Sequence, residues 1–131
     1  MGFAKALATV LMLISWSLIS SAQAQSRQYL MFFDFEKPQL TPSVVKHLAP
    51  VKDATKSGSR IDIVGYCDTA EKNPAKLSLA RARDVEKRLR ALGLPQGVQI
   101  TVKGSGAGET LVKSGPNARE PQNRVAIITI K

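Results

Sequence analysis

Residues 60–93 read RIDIVGYCDTAEKNPAKLSLARARDVEKRLRALG. Ile61 and Ile63 alternate with Asp62 and Val64, the period of a strand with two unlike faces. CDTAEK breaks the pattern and reads as a loop. Asn73-Pro74 then opens a helix, with asparagine as cap and proline at the first helical position, where no N–H is needed. Leu77, Ala80 with Arg81, Val85, Leu89 and Leu92 fall on one face; Lys76, Arg83, Lys87 and Arg90 fall on the other. Gly93 stands where a left-handed residue ends a helix.

Working outward, YLMFFDF at 29–35 is apolar and aromatic and predicts a buried strand, closed by Lys37-Pro38. Thr41-Pro42 is a second helix start, followed by an apolar stripe of Val44, Val45, Leu48 and Val51. Pro50 removes a backbone donor and clashes one turn back, so this helix is expected to kink or break near Ala49. Val98, Ile100 and Val102 alternate with polar residues and predict a strand at 98–103. A glycine-rich loop from Gly104 to Gln122 leads to a last strand, RVAIITIK. The order is β-α-β-α-β-β, an α+β domain of helices on a sheet. Strand-helix-strand units of this kind pair in parallel through right-handed crossovers.

The N-terminal segment is of another kind. Lys5 precedes an apolar run from Ala6 to about Ile19, and Ala22-Gln23-Ala24 fits a cleavage site, so residues 1–24 read as a secretory signal peptide. The run is shorter than the roughly 20 apolar residues of a membrane span. Residues 25–28 are then a short polar lead, and 29–131 form one domain, with no transmembrane span after cleavage. Of 19 basic and 10 acidic residues only Lys5 is removed, which leaves a net charge of about +8. Such a charge favours anionic surroundings. Export and the lack of a basic-aromatic strip argue against nucleic acid.

Catalytic chemistry finds little support. His47 is the one histidine and Cys67 the one cysteine, and no G-x-S-x-G is present. A zinc site needs several such ligands, so neither metal nor cofactor is expected, and the chain does not read as an enzyme. Cys67 cannot form an internal disulfide and is expected to be buried. GSGAGE at 104–109 lacks the following helix that a phosphate loop requires, and reads as a turn needing positive φ.

Asp68 and Arg81 remain. Asp68 follows the C-terminal end of a strand, where sheets of β-α-β units tend to bind ligands. Arg81 lies two turns into the next helix. The two side chains can pair as a structural salt bridge, which spacing alone favours. Alternatively they can hold a zwitterion, with ammonium on Asp68 and carboxylate on the Arg81 fork. The 68–73 loop would add backbone N–H donors.

The pattern of motifs resembles the OmpA-like domain family. The resemblance runs from about Tyr29 to Lys131 and rests on FFDFEKPQLTP, VGYCDT, LSLARARDVEKRLRALGLP, VKGSGAGE and REPQNRV, in that order. It implies a two-layer fold with a mixed sheet. It also implies non-covalent binding of the peptidoglycan stem peptide, through diaminopimelate, in the periplasm, either free there or associated with the outer membrane. Asp68 matches the family's aspartate and Arg81 its arginine, which turns the balance toward ligand binding. Thr69 and Asn73 are the accompanying loop residues, with Asn123 and Arg124 at the pocket edge or fastening the last strand. This chain departs from the family pattern in four places. Tyr66 and Cys67 replace a histidine and a threonine, the loop after Asp68 is about two residues short, Pro74 stands where the family has an asparagine, and the family's N-R-R-V reads Asn123-Arg124-Val125, one arginine fewer. A lone wall-binding domain tethers nothing, so an envelope protein partner or a homodimer is expected. The alternative is a degenerate assembly module of the same fold that no longer binds cell wall.

Overall fold

The computed structural model describes residues 25–131; the expected signal peptide lies outside them. Strand β1 is Arg27–Phe32, followed by two short helices, α1 (Pro42–Val45) and α2 (Leu48–Ala54). Then come β2 (Arg60–Gly65), α3 (Pro74–Ala91), β3 (Gln99–Gly104), a 3-10 turn at Pro121–Asn123, and β4 (Val125–Ile130). The four strands form one mixed sheet in the order β1-β4-β2-β3. β2 and β3 pair in parallel around α3, as a β-α-β unit should. β1 and β2 run the same way but are not neighbours: β4 inserts between them, antiparallel to both. The crossover rule gives direction, and the last strand takes the slot.

One face of the sheet carries the core. Met31, Ile61, Ile63, Ala126, Ile128 and Ile130 meet Leu48, Val51, Ala82, Val85 and Leu89 from the helices. Burying each large aliphatic side chain contributes about 1.5–3 kcal/mol. The opposite face is left open, with Leu30 and Phe32 exposed on β1.

Several expected boundaries move, each for a physical reason. The first helical segment breaks at Lys46-His47, a turn upstream of Ala49, so that Pro50 falls in the first turn of α2. There its missing N–H costs nothing. β1 takes in Arg27 and Gln28, expected as part of the lead, and ends at Phe32 instead of Phe35. Beyond it the chain turns, with the Lys37 N–H on the Asp34 carbonyl and Glu36 at φ 56°.

Helix α3 starts and stops as the sequence predicts, with Asn73 at the cap position, Pro74 first, and Gly93 at φ 81° after the end. The Asn73 side chain makes no cap hydrogen bond, because the residue is itself left-handed at φ 48°. The buried face is also rotated from expectation. It runs through Ser78, Arg81, Ala82, Val85 and Leu89, while Leu92 stays partly exposed. The cause is close seating of the helix on two strand ends. A Cβ on Gly65 would lie 1.9 Å from the Ser78 carbonyl oxygen, and one on Gly104 would lie 2.6 Å from the Leu79 nitrogen. Gly104 is therefore needed for close approach; in the GSGAGE loop only Gly106, at φ 64°, needs positive φ.

Candidate functional site

The seated helix delivers Arg81 to the end of the sheet. Its side chain is fully buried. An arginine can be held there only if its charge and all five N–H groups are answered. Nε donates to the Lys37 carbonyl at 3.0 Å. Nη1 donates to the Tyr66 carbonyl at 3.0 Å and to Glu71 Oε1 at 2.7 Å. Nη2 donates to the Asp34 carbonyl at 3.1 Å and to Glu71 Oε2 at 2.5 Å. The guanidinium also lies 5.2 Å from the centre of the Phe33 ring. The early end of β1 is explained by this set, since the turn at 34–37 presents two of the three carbonyls.

Glu71 is the counter-ion, and it too is fully buried. Its carboxylate meets Arg81 fork on fork, the bidentate geometry in which this pair is strongest. Oε1 also accepts the Asp68 N–H at 3.1 Å, and Oε2 the Glu36 N–H at 2.7 Å. Four donors thus converge on one loop carboxylate.

Asp68 has a different partner. Oδ1 accepts the N–H groups of Ala70 and Glu71, both at 3.0 Å, which shapes the loop. Oδ2 accepts the Glu120 N–H at 3.2 Å and Arg124 Nη1 at 3.2 Å. Arg124 Nε donates in turn to the Phe33 carbonyl at 3.0 Å. Among the described residues no hydrogen bond or ion pair joins Asp68 to Arg81. The structural salt bridge expected between them is replaced by two others, Glu71 with Arg81 and Asp68 with Arg124.

The remaining candidates divide. Thr69 ties down the long loop: its hydroxyl donates to the Gly115 carbonyl at 2.7 Å and accepts the Ala118 N–H at 2.9 Å. Asn123 is buried and clamps Val112, accepting its N–H at 2.7 Å and donating to its carbonyl at 2.9 Å. It fastens the long loop, whereas the expectation placed it at the pocket edge or on the last strand. Arg124 does both jobs, anchoring β4 to β1 and reaching Asp68. Asn73 is exposed and lines a hollow of about 320 Å³ together with Glu36, Pro38, Lys72, Lys76, Leu77 and Ala80.

Glu71 is the member of this cluster that sequence reasoning missed. The available signal was Arg81 itself. It stands on the apolar face of α3, in line with Val85 and Leu89, and a buried guanidinium demands a buried anion. His47 is exposed at the start of α2. No cluster of metal-ligating side chains occurs among the described residues, and no helix among them is long and apolar enough to cross a membrane.

Cys67 is buried as expected, with Sγ 3.5 Å from the Pro74 carbonyl oxygen and from Arg81 Nη1. Burial pushes its thiol up to about 12, against the opposing pull of the Arg81 charge. The thiolate is the reactive form, so the folded protein should not react with a disulfide reagent at pH 8. One equivalent of thiol should appear only on adding denaturant. Fast labelling of the folded protein would contradict the burial.

Residues 32–124 match the model of the OmpA family. A protein described as an outer membrane protein of Gluconacetobacter diazotrophicus is 35% identical over 113 residues, which is 79% of this chain. The chain spans only 30% of that relative's length. Among solved structures, the peptidoglycan-associated lipoprotein of Burkholderia pseudomallei superposes with a TM-score of 0.63 at 20% identity, covering 78% of this chain and 89% of that one. The cell wall anchor of the T6SS from Pseudomonas aeruginosa gives 0.64 at 21% identity, with 80% of each chain covered. At these identities the structural likeness establishes the fold.

Proposed function

Because the chain belongs to the OmpA family, we propose that it attaches to peptidoglycan in the periplasm and links the wall to an envelope partner or to a second copy of itself. The group recognised is the diaminopimelate end of the stem peptide, with its ammonium at Asp68 and its carboxylate at Arg81. Thr69 holds the long loop against the site, Asn73 borders the approach, and Arg124 forms the edge. The action is binding, not catalysis.

One observation carries this reading. The chain's own side chains occupy the two positions with the charges such a ligand has. A carboxylate sits in the Arg81 fork and a cation sits on Asp68. This self-occupancy supports a carboxylate at one position and a cation at the other. The names of two proteins of the same fold, one peptidoglycan-associated and one a cell wall anchor, agree with it. The same observation also favours the second reading, an assembly module that no longer binds wall, since both charges are already satisfied.

Co-sedimentation separates the two. Protein isolated after export is mixed with purified diaminopimelate-type peptidoglycan at about physiological salt. Asp68→Ala and Arg81→Ala run beside it, each verified as folded at the assay temperature. Wall binding through the site predicts that wild type sediments and both variants stay in solution. Binding that persists in both variants and disappears at high salt would assign it to surface charge instead. Absence of binding in the wild type would select the assembly module.

A further inference from the structure

We infer that Glu71 is a built-in occupant of the Arg81 carboxylate position, so that a ligand carboxylate enters only by displacing it. The ligand class rests on the wall-binding reading; the occupancy itself rests on geometry.

The fork does not depend on Glu71 for its aim. Three of the five Arg81 donors go to the carbonyls of Asp34, Lys37 and Tyr66. These lie on two separate segments, and the Phe33 ring adds a further contact. With Glu71 removed, two N–H groups would still point at the vacated space. The backbone N–H groups of Asp68 and Glu36 would point there as well. A small carboxylate has the two oxygens that these four donors meet in Glu71.

Glu71 also comes from a segment able to give way. It sits in the loop between β2 and α3 rather than on either element. Asn73, two residues on, and Glu36, whose N–H bonds the Glu71 carboxylate, are both non-glycine residues in the left-handed region, at φ 48° and 56°. Such conformations are costly and hold only while their surroundings enforce them. Both residues line the hollow of about 320 Å³, whose rim carries exposed Lys72 and Lys76. These two ammonium groups make the rim attractive to an anion, and the hollow is joined to the Glu71 carboxylate through the Glu36 N–H.

The test is chemical rescue. Glu71→Ala is melted in sodium acetate and in meso-diaminopimelate, against chloride at matched ionic strength. Wild type and the double variant Glu71→Ala/Arg81→Met are the controls for general salt effects. At ten times its dissociation constant, a bound carboxylate should raise the melting temperature of Glu71→Ala by about 5–10 °C. Neither control should respond. If Glu71→Ala is unfolded in chloride, return of a cooperative transition in acetate is the expected result. A response equal in all three proteins, or no response up to about molar acetate, overturns the inference. In a second measurement Glu71→Gln, which keeps the side chain's volume, should sediment with peptidoglycan at least threefold more than wild type. Rescue without wall binding in any variant would remove the wall reading and keep the occupant. Strong wild-type wall binding, unchanged in Glu71→Gln and without rescue, would do the reverse.

Discussion

Replacing Arg81 with methionine should destabilise the folded domain by about 3–5 kcal/mol, because it leaves the Glu71 carboxylate buried without its counter-ion. Methionine keeps much of the side-chain stem, so little of the loss comes from packing. Three backbone carbonyls lose their donors at the same time. The effect should shrink sharply when Glu71 is also made apolar. Two well-packed neutral side chains lack the interior charge that makes the single variant costly. The double variant Arg81→Met/Glu71→Met should therefore lose less than the sum of the singles, with a coupling of about 2–3 kcal/mol. Urea denaturation of the four proteins measures this directly. A single-variant cost below about 1 kcal/mol, or strict additivity, would mean that water reaches the pair.

This ion pair bears on the two functional readings differently. A buried, fully bonded guanidinium is explained equally well by an architectural role and by a ligand site resting in its closed form. Stability measurements cannot separate them, because both predict the same loss on removing Arg81. Only the fate of the fork after Glu71 is removed is diagnostic. An architectural pair leaves a defect there, whereas a recognition site leaves a vacancy that an external carboxylate fills.

What the sequence revealed follows the range of the forces involved. Helix α3 was legible at both ends, because proline at its first position and glycine after its last are local requirements. Strand β2 was legible because its alternation is set by the face it buries. The position of β4 in the sheet was not, since nothing within VAIITI says which neighbours it takes. The break in the first helical segment was placed one turn late, because Pro50 is harmless in a first turn and the chain rearranged to put it there. At the site, the sequence singles out Asp68 and Arg81, and the structure buries both, but neither of their partners was legible. Arg124 lies 56 residues from Asp68, and Glu71 lies in a loop with no periodicity to read. Pairing across such separations is decided by the packing of α3 against the sheet, which depends in turn on two glycines.

Gly65→Ala should be the most damaging small substitution in the molecule. Alanine normally suits a strand better than glycine does, so propensity predicts a gain. Geometry predicts the opposite, because the added Cβ would lie 1.9 Å from the Ser78 carbonyl oxygen and 2.8 Å from its carbonyl carbon. That obstacle is helix backbone and cannot rotate away. Helix α3 must lift from β2, and Ser78 must give up or stretch its hydrogen bond from the Gly106 N–H, now 2.9 Å. Overpacking in a tight core costs about 1–3 kcal/mol and more where backbone has to move. We expect about 3 kcal/mol here, which lowers the melting temperature by roughly 12–24 °C. Because Arg81 rides on the same helix, the lift also withdraws the guanidinium from the carbonyls of Asp34 and Lys37. Cys67 should then become reactive toward thiol reagents well below the melting temperature. Gly108→Ala is the control: nothing lies within 4 Å of its Cβ, and its stability should stay within about 0.5 kcal/mol of wild type. Equal melting of the two variants would mean that α3 is not seated on Gly65, and the route by which Arg81 reaches the end of the sheet would need to be drawn again.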